Sequence, residues 1–553
     1  MSASSKKKLR KEQVAAELTE KQQKERFEAK KLKTVSIIFI VVMLVVALTA
    51  ATVLITRAVS NSGIKEKNTV AAVTGEHELN AVEMNYFYVD YVNNFYKEWK
   101  NAYGEFTNVY MTMMGLDPST SLDSQVKDQE TGETWAEAFQ KEALQKAHAT
   151  YALYDLAMAE NFTMSEDEQL VLDYTLEQLK AHTLLYGYNN TNTFLRALYG
   201  PGANEKTYVD YCTVVSVASA FYNAKNDSFV YGKEDIAAYN EEYPLNFNTY
   251  DFSVYYVSYS DYAEGGTTNE EGILIYNEEE KAAALKKAEE VAKLLSTATN
   301  IEDLDAAIQS LEVNKDSTTT STKNTDIYYT NIPAQYRDWI ADESRVENDI
   351  TMVPYEITTT DDEGNETSAL NGYYVVAFEG KDENLRPLAN VRHILIGFEG
   401  GTTDENGTLS YSDEEKAVAK SEAEALLQTW KDGEATEESF IALVKENSDD
   451  TASLENGGLY EDIHPESNYV SSFLAWAIDK NRQVGDTEVV EGPNGYHIMF
   501  YSSDDELTNR DRLVEQKLRA DDLAAWYNEV CSSATIEVLD LSLSSKNIIL
   551  ASL

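Results

Sequence analysis

Cysteine is nearly absent from this chain of 553 residues: Cys212 and Cys531 stand alone and far apart. Two thiols make no disulfide scaffold and have no metal-ligand spacing, so two buried free thiols are the simpler reading. Basic residues are also scarce. Lys and Arg total 46 against 95 Asp and Glu, a net charge of −49. A field of that sign repels nucleic acid and excludes it as a partner. The length is too great for one core and implies several domains. A composition 43% hydrophobic and 11% aromatic is that of a folded chain, so disorder is not the default reading.

Charge is missing altogether from Thr34 to Thr56, 23 residues rich in Ile, Val and Leu. That length crosses a hydrocarbon core of about 30 Å as a helix. Residues 1–33 carry eleven basic and five acidic side chains, ending in Lys30, Lys31 and Lys33. The positive-inside bias then puts the N-terminus in the cytoplasm and everything after residue 56 outside the cell membrane. The apolar run is longer than a signal-peptide core and its leading tail is long, which favours an uncleaved single-pass anchor. No cysteine stands near its end for lipid modification.

After a polar linker (57–75) comes a tyrosine-rich region, 76–245. It has no Ser-His-Asp set, no phosphate loop and no clustered ligands. Thr134-x-x-Glu137 and Ser165-x-x-Glu168 have capping-box spacing. Helices are expected near 77–100, 134–160, 165–187 and 204–225, with breaks at Gly187, Gly200-Pro201 and Gly232. The aromatics Tyr86, Phe87, Tyr88, Tyr91, Phe95 and Tyr96 read most simply as core; the alternative is an exposed patch for unfolded chains.

The residues that could carry chemistry stand further on. Asn390-Val391-Arg392-His393-Ile394-Leu395-Ile396 reads as a strand with one histidine in it, followed by an acidic loop. A helix then aligns Ala419, Ala423, Leu426, Leu427 and Trp430 on one face. Next come Glu438-Ser439-Phe440-Ile441-Ala442-Leu443, Ser448-Asp449-Asp450, Asn456-Gly457-Gly458-Leu459, Phe473-Leu474-Ala475-Trp476 and Gly495-Tyr496-His497-Ile498. Each histidine alone is more often structural than catalytic. The ordered series, however, resembles the parvulin family of peptidyl-prolyl isomerases across residues 388–503.

That resemblance implies an active site of His393, Asp450 and His497. It also implies a proline pocket with Phe473 and Leu459, and with Tyr469, Ile478 and Asn494 at positions where relatives commonly carry other residues. The reaction is rotation about an X-Pro amide, whose barrier of about 18–20 kcal/mol comes from partial double-bond character. Such exchange is slow enough to limit folding. A preorganised polar network suffices, with no nucleophile, metal or cofactor required.

An internal repeat adds to this. Tyr336–Val353 aligns without a gap to Phe473–Val490, matching Trp339 to Trp476, Asp342 to Asp479, Arg345 to Arg482 and Asp349 to Asp486. Further on, Gly372-Tyr373-Tyr374-Val375 stands where Gly495-Tyr496-His497-Ile498 stands. Upstream, Asp251–Val257 reads as a strand, before a helix with Leu285, Ala288, Ala292 and Leu295 on one face. Residues 246–382 thus read as a degenerate parvulin-like copy ahead of the intact one at 383–503. A final helix, 509–530, shows Leu523, Trp526, Tyr527 and Val530 on one face within a C-terminal segment 504–553.

The expected whole is an α+β protein: a transmembrane helix, a helical chaperone-like domain, two parvulin-like domains and a C-terminal helix. This order resembles the SurA and PrsA class of extracytoplasmic foldases. By analogy with them the last helix packs on the N-terminal ones. The resemblance implies partners that are unfolded or partly folded exported polypeptides containing X-Pro bonds. The alternative is a holdase or scaffold that uses the parvulin fold only to bind.

Overall fold

The computed structural model describes residues 63–268, 274–360, 366–404, 407–542 and 548–550. The run Thr34–Thr56 lies outside the described residues. Among those described, no helix is long and apolar enough to cross a membrane. The chain divides into two compact units, Met1–Val230 with Arg519–Leu553, and Tyr231–Leu518.

In the first unit, β1 (Val70–Thr74) and β2 (His77–Asn80) form a hairpin, and the strand Ile536–Val538 pairs with the other edge of β1. The helix expected over 77–100 therefore begins only at Ala81, because His77–Asn80 is drawn into this sheet. Asn80 caps α1 (Ala81–Tyr103): its side chain accepts from the Glu83 amide, and Glu83 accepts in return from the Asn80 amide at 2.8 Å. Both capping boxes expected from the sequence form, ahead of α2 (Trp135–Ala159) and α3 (Glu166–Leu185). A helix the sequence reading passed over, α4 (Thr191–Tyr199), is capped by Asn190 and precedes α5 (Glu205–Ser228).

Tyr86, Phe87 and Tyr88 are fully buried, with the Tyr86 ring 4.7 Å from Tyr199 and 5.1 Å from Tyr211. Two of these hydroxyls are satisfied by one buried carboxylate: Tyr211 donates to Asp90 at 2.7 Å and Tyr199 at 3.2 Å. Burial pushes the Asp90 carboxyl up to about 6. Cys212 is buried and Cys531 half-buried, both as free thiols. The C-terminal segment lays Trp526 5.9 Å from Phe221 and buries Val530 beside Ala152, Leu153 and Val217.

The second unit opens with α6 (Lys233–Glu242), whose Ile236 and Tyr239 pack on Val514. Then follow β3 (Thr249–Ser258), α7 (Glu278–Leu295), α8 (Ile301–Gln309), β4 (Thr322–Tyr328), α9 (Ala334–Ala341), β5 (Ile350–Thr360) and β6 (Glu366–Asp382). The strands form an antiparallel sheet ordered β4-β3-β6-β5. The same succession returns as β7 (Pro387–Gly397), α10 (Asp413–Lys431), α11 (Glu437–Asn447), β8 (Leu459–Ile463), α12 (Ser471–Ala477), β9 (Thr487–Glu491) and β10 (Gly495–Thr508). Its sheet is ordered β8-β7-β10-β9.

The two sheets match in register as well as order. His497 lies opposite Leu395 and Val490, and Tyr374 lies opposite Tyr256 and Val353. After each short third helix an arginine stacks on a tryptophan, Arg345 at 4.9 Å from Trp339 and Arg482 at 4.4 Å from Trp476. The amide of Phe378 donates to Asp349 O at 2.8 Å, and that of Tyr501 to Asp486 O at 2.9 Å. The acidic loop after β7 also has a counterpart that the sequence reading overlooked. Glu399-Gly400-Gly401-Thr402-Thr403 repeats Glu264-Gly265-Gly266-Thr267-Thr268, and each run enters a two-stranded hairpin.

Side chains alternate across the second sheet. Ile394, Ile396, Ile498 and Phe500 pack under α10 and α11, while Val391, Met499 and Tyr501 meet Phe473, Trp476 and Ala477 of α12. From β10 the chain enters α13 (Asn509–Ser533). Near its start Arg510 is 6% exposed and donates to Asn240 and Asn248 at 2.7 Å each and to Pro244 O at 2.6 Å. A guanidinium held by neutral acceptors alone ties three segments of this unit together.

Candidate active site

His393 of β7 and His497 of β10 sit on adjacent strands and point to the α12 face. Their Nδ1 atoms are 3.0 Å apart, with ring centroids 5.2 Å apart and planes within 23°. Both are buried, at 4% and 9% exposure. On the far side of His393, Nε2 is 2.8 Å from Asp450 Oδ2. A neutral imidazole has one N–H and a carboxylate only accepts. With His393 as a neutral ring, the network puts its proton on Nε2 and the proton between the rings on His497 Nδ1. His497 Nε2 is then left with its lone pair free to accept.

Burial, with the neighbouring His393 second, lowers the His497 pKa to about 4, so the ring is neutral at physiological pH. Burial alone would raise the Asp450 carboxyl, but hydrogen bonds from His393, Ser453 and Tyr460 outweigh it and hold the group well below the usual carboxylate range.

Local structure fixes these groups. The Ser448 hydroxyl accepts from the Leu395 amide at 3.0 Å, and Asp449 Oδ2 accepts from the Gly397 amide at 2.9 Å. The Ser-Asp-Asp segment is thereby lashed along β7, delivering Asp450 to His393. The turn before β8 approaches just as closely. Gly458 has φ +74°, its carbonyl accepts from the His393 amide at 3.0 Å, and a Cβ there would lie 2.4 Å from His393 O. Only glycine fits. Arg392 holds the same turn from outside, donating to Asn456 O at 2.7 Å and pairing with Glu437 at 2.6 Å.

Phe473 of α12 is 4% exposed and meets both histidines edge-on, 5.3 Å from His393 and 5.6 Å from His497. Tyr469, half-buried, lies 5.5 Å from Phe473, and Ile478 belongs to the same cluster. Two expected pocket residues stand apart. Leu459 is half-buried opposite Arg392, so its side chain leaves the sheet on the Arg392 side. Asn494 is exposed in the turn before β10, its carbonyl accepting from the Phe398 amide at 2.9 Å. Tyr460, next along β8, takes the place expected of Leu459: its ring is 5.2 Å from His393 and 5.8 Å from Phe473, and its hydroxyl is 2.9 Å from Asp450. Sequence reasoning missed Tyr460 and Ser453. Period-two alternation along β8 puts residues 459 and 460 on opposite faces, and the register with β7 decides which of them faces His393.

Comparison with known proteins identifies the domain that holds these residues. Residues 373–502 match the PPIC-type PPIase domain family. This part of the chain is a parvulin-type peptidyl-prolyl isomerase domain. No curated protein matches the chain. Among solved structures it is similar to the peptidyl-prolyl isomerase PrsA of Bacillus anthracis, at 21% identity and TM-score 0.17, covering 27% of this chain and 59% of that one. It is also similar to PrsA of Bacillus subtilis, at 14% identity and TM-score 0.24, covering 72% and 86%. The foldase protein PrsA of Streptococcus pneumoniae matches at 13% identity and TM-score 0.17, covering 48% and 79%. These overlays are partial; the domain assignment comes from the family match and the site geometry.

Proposed function

We propose that the protein is a membrane-anchored folding factor that isomerises X-Pro bonds in exported polypeptides on the outer face of the cytoplasmic membrane. The observation that carries the catalytic reading is the continuous chain Asp450–His393–His497, bordered by the buried face of Phe473. The proline ring packs against Phe473, Tyr469 and Ile478. The twisted amide, less conjugated and more polar at nitrogen, faces a histidine pair that is already oriented. Preorganisation means that little reorganisation is needed when the bond rotates. Asp450 acts by fixing the tautomer of His393. Anchoring rests on the charge-free run Thr34–Thr56 and the basic tail before it. Placement outside the cell follows from the same asymmetry.

Residues 246–382 are the degenerate copy in this reading, with Tyr374 at the place of His497 and Val254 at that of His393. A holdase contribution is favoured by one observation there. Tyr256, Tyr355 and Tyr374, all partly exposed, cluster with centroids 5.1–5.5 Å apart where the other sheet carries its histidines. Aromatic surfaces of this kind bind extended, proline-containing chains without chemistry.

The deciding experiment is a proline-isomerisation assay on the full protein beside its His497→Ala variant. Activity that disappears with His497 in a folded protein supports the reading. Equal activity in both transfers the function to binding alone.

A further inference from the structure

Asp450 Oδ2 receives three side-chain donors: His393 Nε2 at 2.8 Å, Tyr460 OH at 2.9 Å and Ser453 Oγ. Its Oδ1 accepts from the Ala452 amide at 3.2 Å. Of these partners His393 and Tyr460 both border the place where a proline ring would sit, and Tyr460 also meets Tyr469. Its ring lies 5.2 Å from His393, 5.8 Å from Phe473 and 5.5 Å from Tyr469. The first sheet has nothing similar: Asn324 occupies the equivalent place opposite Phe252, as Tyr460 does opposite Val391.

We propose that Tyr460 is a positioning residue of the isomerase site, its hydroxyl locking Asp450 and thereby the tautomer of His393, its ring closing the aromatic seat with Phe473 and Tyr469. The proposal rests on the catalytic reading of His393, Asp450 and His497. Burial and the neighbouring Asp450 raise the phenol well above its ordinary value, so Tyr460 only donates to the carboxylate. With Asp450 tethered by several donors, the carboxylate cannot swing away from His393 Nε2. The proton on that nitrogen then obliges His497 to place its own proton on Nδ1 and to present Nε2 as an acceptor. One hydroxyl at the edge of the site thus sets a proton position two residues away.

The two roles separate by substitution. Tyr460→Phe keeps the ring and removes the donor, so kcat falls by about tenfold, the scale of one hydrogen bond to a charged group, while KM stays close to that of the unaltered protein. Asp450 also loses a donor that favours its ionised form, so its carboxyl moves up from the low value its three side-chain donors hold. The titratable groups facing Asp450 are His393 of β7, His497 of β10 and Tyr460 of β8, with Tyr469 behind Tyr460. Tyr460→Leu removes both ring and hydroxyl, and raises KM in addition to lowering kcat. Nitrogen-15 shifts of the two imidazoles, measured at neutral pH, report the tautomer directly and move in Tyr460→Phe. A folded Tyr460→Phe protein with unchanged kcat and unchanged imidazole shifts overturns the proposal. His497→Ala, run in parallel, tests the underlying reading separately: full activity there refutes the catalytic assignment whatever Tyr460 does.

Discussion

The two sheets of the second unit share strand order, register and the short helix that leads into their third strands, yet they place different chemistry at one point. In the second sheet that point holds two histidines, 3.0 Å apart and tied to a carboxylate. In the first it holds Tyr374, 5.1 Å from Tyr256 and 5.4 Å from Tyr336. The shared residues are those that build the frame: the stacked Trp–Arg pairs, the aspartates that cap turns and the double-glycine hairpins. The differing residues are those of the candidate site, His393 and His497 in one sheet against Val254 and Tyr374 in the other. Frame and site answer to different constraints, which is why one fold can carry catalysis in one copy and an aromatic surface in the other.

The frame itself gives the largest expected contrast. Trp476 is 4% exposed and its indole donates to Glu488 at 2.8 Å, whereas Trp339 is only half-buried. Trp476→Ala is expected to cost about 3–5 kcal/mol in urea unfolding, and Trp339→Ala clearly less. Equal losses would mean that the two tryptophans do the same structural work.

Next is the site. His497→Ala is expected to lower kcat/KM by about 10²–10³, the usual cost of losing a preorganised electrostatic partner. Tyr374→Ala in the full protein should leave isomerase activity unchanged. A drop with Tyr374 would show that the first sheet takes part in turnover.

A smaller effect is expected from acid. The folded pKa of His497 is lowered to about 4, below the unfolded value near 6.5. As pH falls between those values the unfolded chain takes up a proton that the folded one refuses, so stability declines as pH falls from about 6.5 toward 4. Above that window this histidine contributes no slope. Replacing His497 with Gln should flatten the decline, as followed by thermal midpoints across pH. Tyr374 contributes no slope in this range, so a Tyr374→Phe protein should keep the decline intact.

The smallest effect should be common to both copies. Asn300 caps α8 by accepting from the Asp303 amide at 2.8 Å, and Thr436 caps α11 by accepting from the Ser439 amide at 3.2 Å. Alanine at either should cost about 1 kcal/mol. A large inequality in denaturation midpoints would break the picture of equivalent frames.

Much of this was legible in sequence because its signals are local. The capping boxes at Thr134 and Ser165 specify where helices begin through contacts three residues apart. The apolar face of α10 and the strand around His393 follow from period alone. The hairpin Val70–Asn80 was not legible. Its sheet is completed on the other edge by residues 536–538, more than four hundred positions away, and no local pattern announces that pairing. Nor was the role of Tyr460: motif spacing pointed to Leu459, and only the pairing of β8 with β7 decides which of the two neighbours turns toward His393.

The sequence by itself determined the class of chemistry. A shortage of cysteine and of positive charge removed whole classes of function, and the ordered motifs from Arg392-His393 to Tyr496-His497 named the isomerase domain. Tertiary structure decided what those residues do to one another. The imidazole contact, the protonation of His497 and the donors gathered on Asp450 arise because strands and turns bring side-chain atoms to about 3 Å from positions up to 104 residues apart. Hydrogen bonding and desolvation act over such distances only, and sequence order does not encode them.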